Sequence, residues 1–456
     1  MSTPGVVIAA PASGSGKTTI ATGLMGALRR AGHEVAPFKV GPDFIDPGYH
    51  GLAAGRPGRN LDPVLVGDDL VGPLYRHGSA DADIAVVEGV MGLFDGRISD
   101  APATGAAQGS TAHVAALLGA PVILVVDARG QSHSVGALLH GFATFDSSVH
   151  LVGVILNRVG SARHEAVLRQ GCERAGVRVL GAVPRTDELS VPSRHLGLVT
   201  AVEHGRRASA AVDAMAELVA RHVDLAAVVA AARSHVVEEP WTPALSEPTH
   251  TPATVALAAG RAFTFGYAEH AELLSAAGAD VVAFDPLTDP LPRHTAALVL
   301  PGGFPEEFGP ELSANGAVRE QIGALADSGA PIHAECAGLT YLADDLDGHP
   351  MCGVIAGSAS FTESLTLGYR NAVAVADSAL HRIGDRIAGH EFHRTTMHYV
   401  SDRQPAWRYR GRAGVMVDDG VVRAGVHAGY LHTHPASHPE AIARFVRAAA
   451  HSKLAG

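Results

Sequence analysis

Two segments of this 456-residue chain hold residues that could do chemistry, and they lie far apart in the sequence. The first, at 11–19, reads PASGSGKTT, an order of glycines, lysine and threonines that is typical of phosphate loops. The second, at 333–338, reads HAECAG and contains Cys336. Together they predict that nucleotide phosphate chemistry is joined to thiol chemistry, as in an ATP-dependent amide synthesis that makes its own ammonia.

The first segment follows an apolar run and opens a helical stretch, as a phosphate loop requires. Lys17 would supply a positive charge to the β- and γ-phosphates, and Thr18 is placed to meet Mg²⁺. Pro11 stands where the usual pattern has glycine. The alternative is a glycine-rich turn with an incidental lysine, but the strand before the loop and the helix after it favour a nucleotide site. The predicted nucleotide-binding residues here are Gly14, Gly16, Lys17, Thr18 and Thr19.

Acidic residues follow two further predicted strands. Asp43 and Asp46 lie in a proline-bounded loop, and Glu88 closes the apolar strand 84–88, with Asp95 in the segment after it. A carboxylate at the carboxyl end of a buried strand needs a partner, and in a phosphate-loop fold that partner is expected to be Mg²⁺. Helix capping or solvent exposure is the alternative for Asp43 and Asp46.

Cys336 is the candidate nucleophile of the second segment. It stands on a predicted strand-to-helix turn, where a side chain is presented to substrate and the helix N-terminus favours the thiolate. Cys172 lies inside a helical stretch and Cys352 near a turn, so both are interpreted as core or surface residues.

A thiol nucleophile also needs an oxyanion site and a base. Gly302 and Gly303 follow a predicted strand and can turn bare N–H groups toward a developing oxyanion. The base is expected among the histidines near the C-terminal end of the chain. His432 is the first choice, and His434 and His438 stay open as alternatives.

Short apolar runs alternate with helical stretches in both halves, which predicts an α/β protein with parallel sheets covered on both faces. The proline-rich stretch 236–252 is interpreted as a linker between a synthetase domain at 1–235 and a second α/β domain at 253–456. The predicted strands are 6–10, 35–40, 84–88, 122–127, 151–157 and 177–183 in the first domain, and 254–259, 280–284, 297–300 and 331–334 in the second.

The net charge of −11 argues against general binding to nucleic acid or to a membrane surface, because both need a basic face. No apolar run approaches the roughly 20 residues of a membrane-spanning helix, and the N-terminal apolar run is interpreted as a strand and not as a signal peptide. Three cysteines form no closed disulfide framework. We therefore expect a cytoplasmic enzyme.

Many long blocks of the sequence resemble the cobyrinate or hydrogenobyrinate a,c-diamide synthases of cobalamin biosynthesis, in one order over nearly the whole chain. The blocks are 11–19, 38–47, 60–62 (NLD), 87–96 (VEGVMGLFDG), 153–158 (GVILNR), 194–198 (RHLGL), 334–336 (AEC), 367–370 (LGYR), 389–393 (GHEFH) and 430–432 (YLH).

The resemblance implies a dethiobiotin-synthetase-like ATP-binding domain followed by a class I glutamine amidotransferase domain. In such enzymes ATP activates two corrin carboxylates in turn and glutamine supplies the nitrogen. The partners implied are ATP, L-glutamine and hydrogenobyrinate or cobyrinate, with Mg²⁺ as the cofactor and a homodimer as the assembly to test.

The resemblance also implies roles for individual residues. Thr18, Asp43 and Glu88 would serve Mg²⁺, and Asp46 and Asp95 the substrate or its acyl phosphate. Asn157 would contact the nucleotide base, Cys336 would be the nucleophile, and Gly302 and Gly303 would meet the intermediate. Cationic contacts to the corrin are expected among Lys39, Arg56, Arg59, Arg129, Arg158 and Arg194.

Some positions depart from the family pattern. Phe44 stands where tyrosine is usual, Ala337 replaces a frequent glycine, and Pro435 follows His434 where an aromatic residue is usual. His438-Pro439-Glu440 also mimics the His-Pro-Glu of other class I amidotransferases. Two alternatives share the architecture, a cobyric acid synthase and a nickel-sirohydrochlorin a,c-diamide synthase. A partitioning-type ATPase is a third, for which the N-terminal half alone would suffice.

Overall fold

The computed structural model describes most of the chain, and its residues divide into two compact units, Met1–Thr242 and Pro243–Gly456. No helix among the residues described is long and apolar enough to cross a membrane. The described residues are 2–98, 106–186, 193–194, 197–198, 200–243, 252–400, 402–411 and 414–455, with backbone only at 193–194, 197–198 and 453–455.

The N-terminal unit is built on a parallel sheet that has seven strands in the part of the chain described. The strands are β1 (Gly5–Ala9), β2 (Val35–Val40), β3 (Arg59–Leu61), β4 (Ile84–Glu88), β5 (Val122–Asp127), β6 (Leu151–Val159) and β7 (Val179–Pro184), in the order β3-β2-β4-β1-β5-β6-β7; β8 (Ser193–Arg194) and β9 (Gly197–Leu198) pair separately. The helices are α1 (Lys17–Arg30), α2 (Asp46–Ala54), α3 (Pro63–Val66), α4 (Asp68–Gly78), α5 (Thr111–Leu118), α6 (Ser134–Thr144), α7 (Ala162–Arg174), α8 (Ala201–His204), α9 (Arg206–His222) and α10 (Leu225–Ala231).

The central strands are buried along their whole length, which is why they read as continuous apolar runs. Helix α1 packs against α9 so closely that a Cβ on Gly23 would lie 2.6 Å from the Met215 carbonyl oxygen. Because β1, β2 and β4 are parallel neighbours, the loops that leave their carboxyl ends meet at one edge of the sheet.

The C-terminal unit contains two sheets in the residues described. The strands of the first sheet are β10 (Ala253–Ala258), β11 (Ala279–Phe284), β12 (Thr295–Leu300), β13 (Ile332–Glu335), β20 (Val421–Arg423) and β21 (Val426–Gly429). Their order is β11-β10-β12-β13-β21-β20, and all are parallel except β20. The helices of the unit are α11 (Ala268–Ala276), α12 (Gly309–Ala314), α13 (Gly316–Asp327), α14 (Ala337–Tyr341) and α15 (Pro439–Ala455).

The strands of the second sheet are β14 (Ala343–Leu346), β15 (His349–Pro350), β16 (Ile355–Ala374), β17 (Arg386–Tyr399), β18 (Trp407–Arg410), β19 (Met416–Asp419) and β22 (His432–Thr433). Its largest part is a long antiparallel hairpin of β16 and β17. The edge strand β22 pairs with β17, which places His432 opposite His390.

The predicted α/β class is confirmed, and each predicted strand coincides with an observed one to within two residues at either end. The second sheet of the C-terminal unit was not predicted. The linker 236–252 stays a prediction, because 244–251 lie outside the described residues. Before that gap, Val236 and Trp241 are buried, and the Trp241 N–H donates to the Pro73 carbonyl at 2.9 Å.

Candidate active sites

The predicted phosphate loop lies between β1 and α1. Gly14 and Gly16 have φ angles of 81° and 92°, which only glycine adopts without strain. A Cβ on Gly16 would lie 2.2 Å from Asn157 Nδ2, so the close approach of β6 also requires glycine there. Helix α1 begins at Lys17, and its N-terminus therefore opens onto the loop as a phosphate site needs.

Asn157 and Arg158, at the end of β6, form hydrogen bonds to the backbone of the phosphate loop. Asn157 Nδ2 donates to the Ser15 carbonyl at 2.9 Å, and Arg158 donates to the Gly14 carbonyl at 2.8 Å and to Asp127 at 2.6 Å. The amide predicted to contact the nucleotide base thus holds the backbone of the phosphate loop in this structure.

Lys17 reaches from α1 to the loop after β4, where its Nζ donates to the Met91 carbonyl at 2.5 Å. Burial and the nearby charge of Lys39 lower the pKa of Lys17. Asp95 shapes that loop, because its Oδ2 accepts the Gly92 N–H at 2.9 Å. Thr19, also predicted to bind nucleotide, is half-buried in the first turn of α1.

A buried network joins the acids to Lys39, His50 and Thr18. Lys39 Nζ lies 2.6 Å from Asp46 Oδ2 and 3.0 Å from Glu88 Oε1. Glu88 Oε1 also accepts the Thr18 hydroxyl at 2.6 Å, and His50 Nε2 lies 2.6 Å from Glu88 Oε2. Four elements, β2, β4, α1 and α2, therefore meet at the Glu88 carboxylate.

The network sets the charge state of its members. Burial alone would raise the pKa of Glu88, but the Lys39 ammonium and hydrogen bonds from His50 and Thr18 hold it below its usual value. Burial would lower the pKa of Lys39, but the charges of Asp46 and Glu88 raise it. Burial and the charge of Asp43 raise the pKa of Asp46. Three carboxyl groups therefore lie around one buried ammonium.

Asp43 makes the helix-capping contacts that were its alternative in the sequence, and His50 was not predicted. Asp43 caps the start of α2, where its Oδ1 accepts the N–H groups of Ile45 and Asp46 at 2.8 and 3.1 Å. His50 was missed, although it stands four residues after Asp46 on one face of a helix, and that spacing was the available signal.

The cations predicted as corrin contacts make other contacts in the described residues. Lys39 is buried in the network, Arg129 and Arg158 pair with Asp127, and Arg56 donates to the Gly78 and Ala80 carbonyls. Arg59 also has a partner. The side chain of Arg194 lies outside the described residues.

Cys336 occupies the sharp turn between β13 and α14, with φ 50° and ψ −100°. Such a strained conformation is typical of a nucleophile elbow. Its N–H donates to the Gly429 carbonyl at 2.8 Å, and its Sγ lies 3.8 Å from the Phe392 carbonyl of β17. Burial raises the pKa of this thiol, while the N–H groups of Ala337 and Gly303 oppose that shift. The buried thiol therefore needs a base.

The glycine pair lies between the thiol and a histidine. A Cβ on Gly303 would lie 2.0 Å from the Ala262 carbonyl oxygen, and a Cβ on Gly302 would lie 2.3 Å from His432 Cε1. Because the Gly303 N–H acts on the thiol and Gly302 packs on the imidazole, the predicted oxyanion segment and the predicted base belong to one site.

The three candidate bases have different surroundings. His432 is fully buried, lies opposite His390 and has Nδ1 3.8 Å from Glu335 Oε2. Burial lowers the pKa of His432 to about 4 despite the Glu335 charge, so the imidazole is neutral at neutral pH. His434 Nδ1 accepts the Ala436 N–H at 3.3 Å, and the His438 ring lies 6.3 Å from that of His381. The geometry favours His432.

Comparisons with known proteins match the two halves of the chain to two domain families. Residues 6–199 match the CobQ/CobB/MinD/ParA nucleotide binding domain, and residues 254–440 match the CobB/CobQ-like glutamine amidotransferase domain. The chain is 71% identical to the hydrogenobyrinate a,c-diamide synthase of Mycobacterium tuberculosis, with 98% of each chain covered. It is 51% identical to the enzyme of that name from Streptomyces coelicolor, with 97% of each covered, and 41% identical to the cobyrinate a,c-diamide synthase of Syntrophotalea carbinolica, with 98% of each covered.

A buried carboxyl beside the thiol site gives a pH-dependent prediction. Asp419 accepts the Tyr430 N–H at 3.0 Å, and burial raises its pKa to about 6. A raised carboxyl pKa favours folding at low pH, and this contribution is lost as the pH rises through about 6. Asp419→Asn should therefore stabilise the protein by about 3 kcal/mol near pH 8 and change little near pH 4.

Calorimetric unfolding at the two pH values measures this effect. Asp418→Asn is the matched control, because Asp418 is the exposed neighbour and pairs with Arg408. An effect of Asp419→Asn that is equal at both pH values would contradict the assignment.

Proposed function

The chain belongs to the a,c-diamide synthase family, and from this membership we propose that it amidates the a and c side-chain carboxylates of a corrin ring with ATP and glutamine. Hydrogenobyrinic acid is the proposed substrate and cobyrinic acid the alternative. The observation that supports this choice is the full-length identity, 49–71% with relatives named for hydrogenobyrinate and 38–41% with relatives named for cobyrinate. In this proposal, 1–235 is the synthetase domain and 253–456 the glutaminase domain.

Other functions are less well supported. A cobyric acid synthase or a nickel-sirohydrochlorin a,c-diamide synthase would use the same two sites on a different ring. A partitioning-type ATPase would use the nucleotide site alone and has no need of the amidotransferase domain matched at 254–440. A cytoplasmic location and a homodimeric assembly are part of the same proposal.

The acid network fits Mg²⁺ as the cofactor. Its donors, Thr18 Oγ1 and the carboxylates, are the hard oxygen ligands that Mg²⁺ prefers. No three His, Cys, Asp or Glu side chains in the described residues form a complete metal site. That agrees with a metal bound by one or two carboxylates together with phosphate oxygens. We assign Thr18, Glu88 and Asp43 to this role, in which bound Mg²⁺ neutralises phosphate charge.

The synthetase site would convert a carboxylate into a reactive acyl phosphate. A carboxylate oxygen attacks the γ-phosphorus, the bond to the β-phosphate oxygen breaks, and ADP leaves. The loop N–H groups and Lys17 hold the phosphates, since positioning and charge neutralisation are the main contribution of a protein to this reaction. Asp46 and Asp95 lie near the Lys17 ammonium, and we propose that they contact the substrate or the acyl phosphate. Ammonia then displaces phosphate to form the amide.

The glutaminase site would supply that ammonia. His432 takes the thiol proton as Cys336 Sγ attacks the side-chain amide carbon of glutamine. The N–H groups of Gly303 and Ala337 stabilise the oxyanion, with Gly302 keeping the segment against the imidazole. The carbon–nitrogen bond breaks, His432 returns the proton to the leaving ammonia, and water hydrolyses the thioester to glutamate.

The proposed reaction predicts a product of defined mass. Incubation of the protein with ATP, Mg²⁺, glutamine and hydrogenobyrinic acid should yield a product with two carboxylates converted to amides, detected by mass spectrometry. A parallel incubation with cobyrinic acid ranks the two substrates by kcat/KM. Steady ATP hydrolysis without an amidated product from either ring would contradict the proposal.

Cys336→Ala should abolish amidation with glutamine, by at least about 1,000-fold, because it removes the nucleophile. Amidation with ammonium chloride should persist, since the synthetase site is untouched. The control is Cys352→Ala, a cysteine that is partly exposed in this structure. Loss of the ammonia-driven reaction as well would show that the two half-reactions are not divided as proposed.

Lys17→Ala should slow ATP hydrolysis by about 100- to 1,000-fold with either nitrogen source, because it removes the charge that faces the phosphates. Arg29→Ala, which removes an exposed charge from the last turn of the same helix, is the matched control. Unaltered hydrolysis in the Lys17 variant would refute the phosphate-loop assignment, whereas glutamine hydrolysis should survive the substitution.

A further inference from the structure

Glu335 lies immediately before the nucleophile and contacts both residues of β22. Its Oε1 accepts the Thr433 N–H at 3.1 Å and the Thr433 hydroxyl at 2.8 Å. Its Oε2 lies 3.8 Å from Nδ1 of His432. One side chain therefore connects the strand that ends at the thiol with the strand that holds the base.

The distance to the imidazole is longer than a hydrogen bond, so the resting interaction is one of charge with a neutral ring. Catalytic contacts are often loose before substrate binds and shorten when charge develops. When His432 takes the thiol proton it becomes a cation, and a carboxylate on its Nδ1 side stabilises that cation. The two hydrogen bonds to Thr433 keep the carboxylate at this position.

Other groups around Glu335 keep it ionised. Burial would raise its pKa, but the hydrogen bond with His333 and the neighbouring imidazoles of His333, His432 and His270 lower it to about 2. Glu391, the other carboxylate whose charge acts on His432, pairs with Arg370 and accepts the Tyr409 hydroxyl. The side chain of Glu335 is only 12% exposed, so water screens its charge weakly.

We propose that Glu335 is the positioning residue of a Cys336–His432–Glu335 triad, in which its carboxylate orients His432 through Nδ1 and stabilises the imidazolium that forms. This proposal rests on the glutaminase reaction proposed above. It assigns no such role to Glu440 of the His-Pro-Glu sequence at 438–440, which is exposed in the first turn of α15.

Glu335→Gln tests the proposal, because an amide oxygen can still accept both hydrogen bonds from Thr433 while the charge is lost. The kcat for glutamine hydrolysis should fall on the order of 100-fold, with the KM for glutamine little changed. Glu335→Asp, which keeps the charge, should recover part of the loss, and Glu440→Gln should match the wild type. A Glu335→Gln kcat within about 2-fold of the wild type would overturn the proposal.

The rate at which iodoacetamide alkylates Cys336 distinguishes two roles of Glu335: positioning His432, or acting directly on the thiol. The negative charge of Glu335 by itself disfavours the thiolate, so its removal alone would speed alkylation. If Glu335 acts through His432, its removal destabilises the imidazolium that forms when the ring takes the thiol proton, so alkylation should slow. In a His432→Ala background the Glu335→Gln change should cause no further loss of glutamine hydrolysis. Faster alkylation, or an equal further loss in that background, would overturn the proposal.

Corrin amidation with ammonia tests the proposed function independently of the role of Glu335. Glu335→Gln should keep this activity, which also shows that the variant is folded. If even the wild-type protein fails to amidate the corrin with ammonia, the proposed function is wrong, while the glutamine hydrolysis and alkylation results still decide the role of Glu335.

Discussion

The N-terminal site depends on one buried ammonium. Lys39 Nζ lies between Asp46 and Glu88, and Glu88 in turn holds Thr18 and His50. Buried charges of one sign are strongly unfavourable, so removing this lysine would leave acids of β4 and α2 facing one another without compensation. The phosphate loop takes part in the same network through Thr18. The position of the first turn of α1 is therefore coupled to the carboxyl ends of β2 and β4.

The thiol site also lies at the carboxyl ends of parallel strands, but different interactions hold its residues in place. Parallel strands again bring their carboxyl ends together, and β13 delivers Cys336 at the end where the Gly302–Gly303 segment leaves β12. Here hydrogen bonds and close glycine packing help to determine the positions. The second sheet contributes the proposed base, His432, through β22 and the Phe392 carbonyl through β17. A parallel sheet alone would not complete this site.

Local sequence patterns predicted much of this arrangement. Continuous Val and Ile runs predicted strands such as β1 and β5, and the glycine-lysine and cysteine segments predicted where each site would lie. The β16–β17 hairpin was missed, because its strands mix Ser, Thr, Arg and His with few apolar runs and are defined by long-range pairing. His50 and Glu335 were missed as functional residues for a related reason. Their contacts with Glu88 and with Thr433 bridge positions that are distant in sequence.

The burial of Cys336 also affects how the protein withstands oxidants. Peroxide reacts with thiolates and hardly with thiols, and a cysteine whose pKa is raised by burial stays protonated at neutral pH. In the resting structure the nucleophile is 3% exposed, and its neutral neighbour His432 does not draw off its proton. In the proposed reaction the thiolate forms only as glutamine is attacked. The same burial that makes a base necessary in that reaction is thus expected to protect the idle thiol from conversion to sulfenic acid.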